Sequence, residues 1–302
     1  MTRTTTWNAL GTDISTTNDV ESALNKAGLN FIVEKAPLTA NIGGQSIIVP
    51  NKVATVRTDT NKVMGIVGDN YSVCQNKDSF DFINYVSGDL EFKKAGITQS
   101  GMTYIITALP LVKILSDSFQ PYLIFQNGFN GQYPVRAYIA PLRIVCQNQF
   151  SIAFKEAHNA VSIRHNLSMR DRIENAKKTF LETAKYMEEL NRQAEKLAAT
   201  PFTADQFKQF IDEILPLKED MTEVQERRIR ESRSQLWNAY MVDDNANFRG
   251  TCWSTVNAVS DWYTHRDPAR ITSKTEENKF MTVTFDPRVL QMAYDRMLKV
   301  AA

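Results

Sequence analysis

The spacing of apolar residues along this chain changes character near residue 166, and the change divides it into two kinds of structure. From about residue 31 to 145, short runs rich in β-branched residues alternate with clusters of Gly, Asn, Asp and Pro, the pattern of strands joined by turns. "KVATVRTDTNKVMGIVG" predicts two strands around a turn at Thr58 to Asn61, and "YLIFQNGFNGQYPVRAYIA" two more around Asn127 to Gln132. Between them, "NKDSFDFINYVSG" spaces Phe80, Ile83 and Val86 like a helix that stops at Gly88, and "MTYIITALP" resumes the strands. Several antiparallel hairpins with one helix among them predict a sheet covered on one face.

After residue 166 the period becomes helical. From Ser168 to Ala199, apolar residues including Ile173, Phe180, Ala184, Met187, Leu190 and Leu197 recur at threes and fours, which predicts one seam on a long helix ended by Pro201. The seam suits either a coiled-coil contact or packing on the chain's own sheet. "TADQ" at Thr203 and "TEVQ" at Thr222 read as capping boxes, Thr251 as the cap of "CWSTVNAVSDWYTH", and Asp286 with Pro287 as the opening of a last helix. Nearer the start, Asn18 is the expected cap of a short helix closed by Gly28, preceded by a Thr-rich arm anchored by Trp7 and Leu10. The prediction is a single α+β domain over residues 1–302: an arm at 1–17, a β-rich part at 18–166 built on an antiparallel sheet, and a helical part at 167–302. No flexible linker separates the parts.

Composition narrows the function. The chain has 302 residues, 43% of them apolar, so it can bury a substantial core. Lys and Arg number 35 against 34 Asp and Glu, so any surface for nucleic acid must be local rather than a field of the whole molecule. The three cysteines, Cys74, Cys146 and Cys252, are scattered and odd in number, which fits a reducing compartment. The N-terminus lacks an apolar signal region, and no run approaches the ~20 apolar residues that span a bilayer. A soluble cytoplasmic protein without a membrane partner is expected.

Several chemistries lack their local geometry. There is no phosphate-binding G-x-x-x-x-G-K-[ST] loop, no dinucleotide G-x-G-x-x-G and no G-x-S-x-G elbow. No pair among His158, His165 and His265 has zinc-site spacing, so neither a metal nor a cofactor is expected. Asp81 followed by Glu91 and Lys93 has the acid, acid-x-Lys arrangement of metal-dependent nucleases, and equally suits a solvated helix before a charged edge strand. Cys252 and His265 stand thirteen residues apart along one helix, about 20 Å, too far for a nucleophile and its base. The stretch that holds them reads as a spine, with Asn257 and Asp261 placed to bond each other or nearby backbone.

The cations gather in one place. Between residues 136 and 166, Arg136, Arg143, Lys155 and Arg164 face a single acid, Glu156. In a strand Arg136 and Tyr138 share a face, so a phosphate-binding guanidinium stands beside a ring on which a base could stack, and Tyr133, Phe150 and Phe154 add aromatics. Two readings stand at this level: a nucleic-acid surface, or core aromatics with arginines paired to acids. Arg227, Arg228, Arg230 and Arg233 lie close to Glu223, Glu226 and Glu231 and read as a solvated, ion-paired helix face.

"LGT" at 10–12, "VMGIVGDNYSVCQNKDSFDFIN" at 63–84, "PLRIVCQNQF" at 141–150, "RHNLSMRDRIENA" at 164–176 and "RGTCWSTVNAVSDWYTH" at 249–265 together resemble the phage/plasmid-like protein family, also called domain of unknown function 932. The resemblance covers most of the chain in the family's order. It implies a home on tailed phages, plasmids or prophage-like islands and a site of action in the bacterial cytoplasm, and it carries over no catalytic residues. Gln149 and Phe150 follow "VCQN" where Gly and an aliphatic residue are expected, so a different turn is predicted there.

The function expected from these readings is non-enzymatic nucleic-acid binding, single-stranded DNA by preference, in the replication or recombination of a mobile element. The β-β-β-α core of phage annealing proteins is compatible by analogy of fold alone. Two other classes remain open: a self-assembling or host-protein-binding accessory protein that docks through its helices, and a metal-dependent nuclease on Asp81, Glu91 and Lys93.

Overall fold

The computed structural model describes residues 10–85, 90–143, 147–153, 160–162, 169–266 and 271–302. Trp7, Val86, Gly88, Cys146, Phe154, Lys155, His158, Arg164 and His165 lie outside them, as do the side chains of Ile173 and Ala176.

The fold is α+β, with antiparallel strands in the first half and most helices in the second. Strands β1 (Thr12–Asp13), β5 (Glu91–Ile97), β6 (Met102–Ala108), β8 (Asp117–Gly128), β9 (Arg136–Arg143) and β10 (Asn148–Gln149) lie side by side in that order. β7 (Val112–Ile114) pairs with β8, and β11 (Ala160–Ser162) with β9. β8 runs on through Asn127 and Gly128, so the connection to β9 spans residues 129–135, later than the turn predicted at Asn127 to Gln132. Ahead of this sheet, α1 (Val20–Ala27) starts at Asp19 rather than Asn18, because the Asp19 carboxylate accepts from the Ser22 amide, and Gly28 closes it with a left-handed backbone. The described part of the arm, residues 10–17, is held by strand pairing at Thr12 and Asp13 and by Ile14, which is fully buried.

A second sheet stands apart. β2 (Val33–Ile42), β3 (Gln45–Arg57) and β4 (Lys62–Gly68) form an antiparallel meander, with the predicted turn at Thr58 to Asn61 between the last two. It is fastened to the end of β8: the Thr55 hydroxyl donates to the Phe129 carbonyl at 2.7 Å, and the Tyr71 hydroxyl to that of Gly128 at 2.9 Å. β4 comes so close that a Cβ on Gly65 would lie 2.5 Å from the Asn130 Cα. Backbone must yield there, so Gly65→Ala is expected to lower stability by about 1–3 kcal/mol in a denaturant titration.

The main sheet is covered on both faces, not one. Every residue of β6 is buried. One face meets α1, α2 (Asn76–Phe80) and α3 (Met169–Ala198) in a core that runs from Ile14 to Met297. The other, with Tyr104, Ile106, Ile124 and Leu142, lies under Phe280 of α7 (Thr275–Phe285). This helix escapes the hydrophobic pattern because the β-branched run Thr282 to Thr284 obscures its stripe.

The two predicted capping boxes form, at Thr203 for α4 (Ala204–Ile214) and Thr222 for α5 (Glu223–Met241), and Thr251 caps α6 (Cys252–His265) as expected, with Ser254 completing a third box that the sequence pattern did not predict. Thr222→Ala is expected to cost about 1 kcal/mol, read as a lower unfolding midpoint. α8 (Arg288–Val300) starts from Pro287, while Asp286 pairs with Arg288 instead of capping. On α3 the buried seam includes Thr179, Thr183 and Tyr186 and leaves Ala184 exposed. It packs on the chain's own core.

Candidate nucleic-acid interface

The residues singled out by charge separate in the structure. Arg136 opens β9, is exposed, and has no ion pair among the described residues. Tyr138 shares its face, as alternation requires, but its half-buried ring meets Phe285 edge-on at 4.5 Å. Tyr133 is half-buried against the backbone of Gly128. Arg143 has the opposite parity and points into the core: it is 2% exposed, and its guanidinium lies 2.7 Å from the Asp117 carboxylate. It is therefore an interior ion pair and no phosphate ligand. Phe150 is fully buried as well. Lys155 and Arg164 lie outside the described residues.

A cationic surface does exist one element further on, where α6 ends. All of α6 except His265 is buried, so this helix is the hub on which α3, α5, α7, α8 and β10 pack. Its last aromatic pair, Trp262 and Tyr263, carries the guanidinium of Arg266, 5.2 Å and 4.6 Å from the two ring centroids. Tyr263 is fixed in turn by its hydroxyl, which donates to the Asp286 carbonyl at 2.8 Å. Between α6 and α7 a groove of about 360 Å³ is lined by Tyr263, Arg266, Thr272, Thr275, Asn278, Lys279, Thr282 and Val283, with no carboxylate among them. Among the described residues neither Arg266 nor Lys279 has an ion pair. On its other side Arg266 borders a smaller pocket of about 210 Å³ that contains Asp261 and His265, 3.9 Å apart. Charge counting missed Arg266; the available signal was a cation three and four residues after two aromatics, one helical turn on, at the end of a helix.

A family model described as "Domain of unknown function (DUF932)" matches residues 63–283. The chain belongs to this family. No curated protein and no solved structure matches the chain. The DUF932 match runs from β4 to α7 and includes the whole lining of the α6–α7 groove. Among the described residues of the "VCQN" motif of this DUF932 chain, Gln147 has left-handed backbone, at φ 57°. Gln149 is instead a polar tie, its side-chain amide donating to Ser151 at 3.0 Å and Thr284 at 3.1 Å, while the Ser260 hydroxyl donates to its carbonyl at 3.1 Å. Phe150 stacks on Trp253 at 5.7 Å. The motif thus docks β10 onto the middle of α6.

The remaining candidates of this DUF932 member resolve as follows. Lys93 bonds Glu91 on β5, and the Asp81 carboxylate accepts from the Asn84 amide at 3.3 Å. Among the described residues no three His, Cys, Asp or Glu converge as a metal requires. The Cys252 thiol is buried, and burial pushes its pKa up to about 11, which keeps it protonated at neutral pH. Asn257 donates to the Trp253 carbonyl at 2.9 Å, a backbone brace within α6. Arg230 pairs with Glu226 at 2.5 Å and Arg233 with Asp212 of α4 at 2.8 Å, so the arginines of α5 serve helix packing and solvation. Among the described residues no helix is long and apolar enough to cross a membrane.

Proposed function

We propose that this protein binds single-stranded nucleic acid, DNA by preference, without catalysing its breakdown, in the bacterial cytoplasm and in the service of a mobile element. The observation that carries this reading is Arg266, its guanidinium 5.2 Å and 4.6 Å from the rings of Trp262 and Tyr263, in a groove with Lys279 whose described lining residues include no carboxylate. A guanidinium beside two rings can offer a face to a base, and two cations without an ion pair among the described residues suit the phosphates on either side. Thr272, Thr275 and Asn278 supply neutral donors and acceptors for the sugar-phosphate chain. Arg136, exposed on β9, is a further phosphate contact in this proposal. Stacking is thereby assigned to the α6–α7 groove, since the ring of Tyr138 is engaged by Phe285.

The reading is tested by fluorescence anisotropy with a labelled, single-stranded oligonucleotide. Binding is expected at low salt and is expected to weaken steeply as salt rises, because counterions are released from the strand. A flat anisotropy trace at low salt and micromolar protein removes the proposal.

A further inference from the structure

The meander β2–β3–β4 ends in a ribbon for which the described residues supply no cover. Residues 39–48 are all exposed, at the joined ends of β2 and β3. Gly43 and Gly44 turn the chain at the tip, both at positive φ as a tight hairpin turn requires. Side chains alternate across a ribbon, so Leu38, Ala40, Ile42, Ile47 and Val49 share one face. Ile42 is 67% exposed and Ile47 51%. Such alternation normally belongs to a sheet with one face on a core. Residues 37–50, "PLTANIGGQSIIVP", contain no charged residue in a chain that is 23% charged. The ribbon therefore lacks both the cations that nucleic acid requires and the aromatic or basic residues of a membrane-surface element.

The counterpart lies at the opposite end of the molecule. A groove of about 620 Å³ between β7 and α3 is lined chiefly by Leu109, Leu111, Val112, Phe180, Ala184 and Met187. Its lining includes Pro121 of β8, whereas the ribbon's sheet is fastened at Gly128, seven residues and about 24 Å further along the same strand. No residue of the ribbon is among the described residues that line the groove.

We infer that the occupant of the groove is the ribbon of a second copy of this chain. The two surfaces match in character: one is convex, aliphatic and uncharged, the other concave and aliphatic, with Lys113 and Glu188 as its charged members. Docking desolvates no charge on the ribbon. The groove offers twelve lining residues and the ribbon fourteen on its two faces, fewer than the roughly 20–30 residues per side of a standard interface, as suits a reversible, concentration-dependent contact. Because the two patches differ and lie at opposite ends, the contact is head-to-tail, and repetition closes a ring or extends a filament. This inference is independent of nucleic-acid binding.

Sedimentation velocity without nucleic acid tests it. The unmodified protein at tens of micromolar is expected to sediment at a mass several-fold above one chain. A ribbon variant, Ile42→Glu with Ile47→Glu, and a groove variant, Leu111→Glu with Ala184→Glu, replace exposed residues and are expected to keep the far-ultraviolet spectrum and melting of the parent. Each alone is expected to sediment as a monomer. Mixed, they are expected to form a dimer and nothing larger, because only one intact ribbon and one intact groove can meet. A monomeric unmodified protein, assemblies unchanged in folded variants, or a mixture that stays monomeric each overturns the inference.

Discussion

Replacing Trp253 with alanine is expected to destabilise the protein by about 3–5 kcal/mol, the usual cost of emptying a buried tryptophan site. Trp253 is 1% exposed in the first turn of α6, stacked on Phe150, which itself meets Phe119 edge-on at 5.4 Å. The substitution removes the ring that joins the sheet to the hub helix, and the rigid surroundings collapse only partly into the space. Against a total stability of roughly 5–15 kcal/mol the loss is large. Denaturant unfolding followed by circular dichroism measures it, with Met292→Ala, at a position 43% exposed on α8, expected within about 0.5 kcal/mol of the parent. Equal losses for both variants would deny α6 its place as the centre of the core.

Much of this architecture was legible in local pattern. The capping boxes at Thr203 and Thr222, the cap at Thr251, the hairpin turn at Thr58 to Asn61 and the spine character of α6 depend on spacing within a few residues, which the chain displays openly. Features set by distant partners were not. α7 owes its helix to Phe280 and Phe285 packing on Tyr104 and Tyr138, and nothing in "TEENKFMTVTF" announces that cover. Arg143 counted as a surface cation when charges were summed, although its odd spacing from Arg136 already placed it on the opposite face of β9. Asp117, the acid that holds it, lies 26 residues away across the sheet. Separation of the ribbon's sheet from the main sheet follows from the anchoring of Thr55 and Tyr71 at the end of β8, contacts between residues far apart in the chain.

The second large effect concerns the α6–α7 groove. Arg266→Ala with Lys279→Ala is expected to weaken single-strand binding by roughly 10–100-fold, since it removes a stacking plane and two phosphate contacts together. Both side chains are half-buried and have no ion pair among the described residues, so the melting temperature is expected to fall by no more than a few degrees. Each phosphate contact on a single strand contributes about 0.7 to the dependence of log affinity on log salt, so two lost contacts flatten that slope by about 1.4. Arg136→Ala is expected to flatten it by about half as much. The most direct measurement is therefore the salt slope of single-strand affinity for the Arg266→Ala, Lys279→Ala protein beside the parent. The account predicts a flatter slope and weaker binding in a protein that melts within a few degrees of the parent; an unchanged slope with unchanged affinity would contradict it.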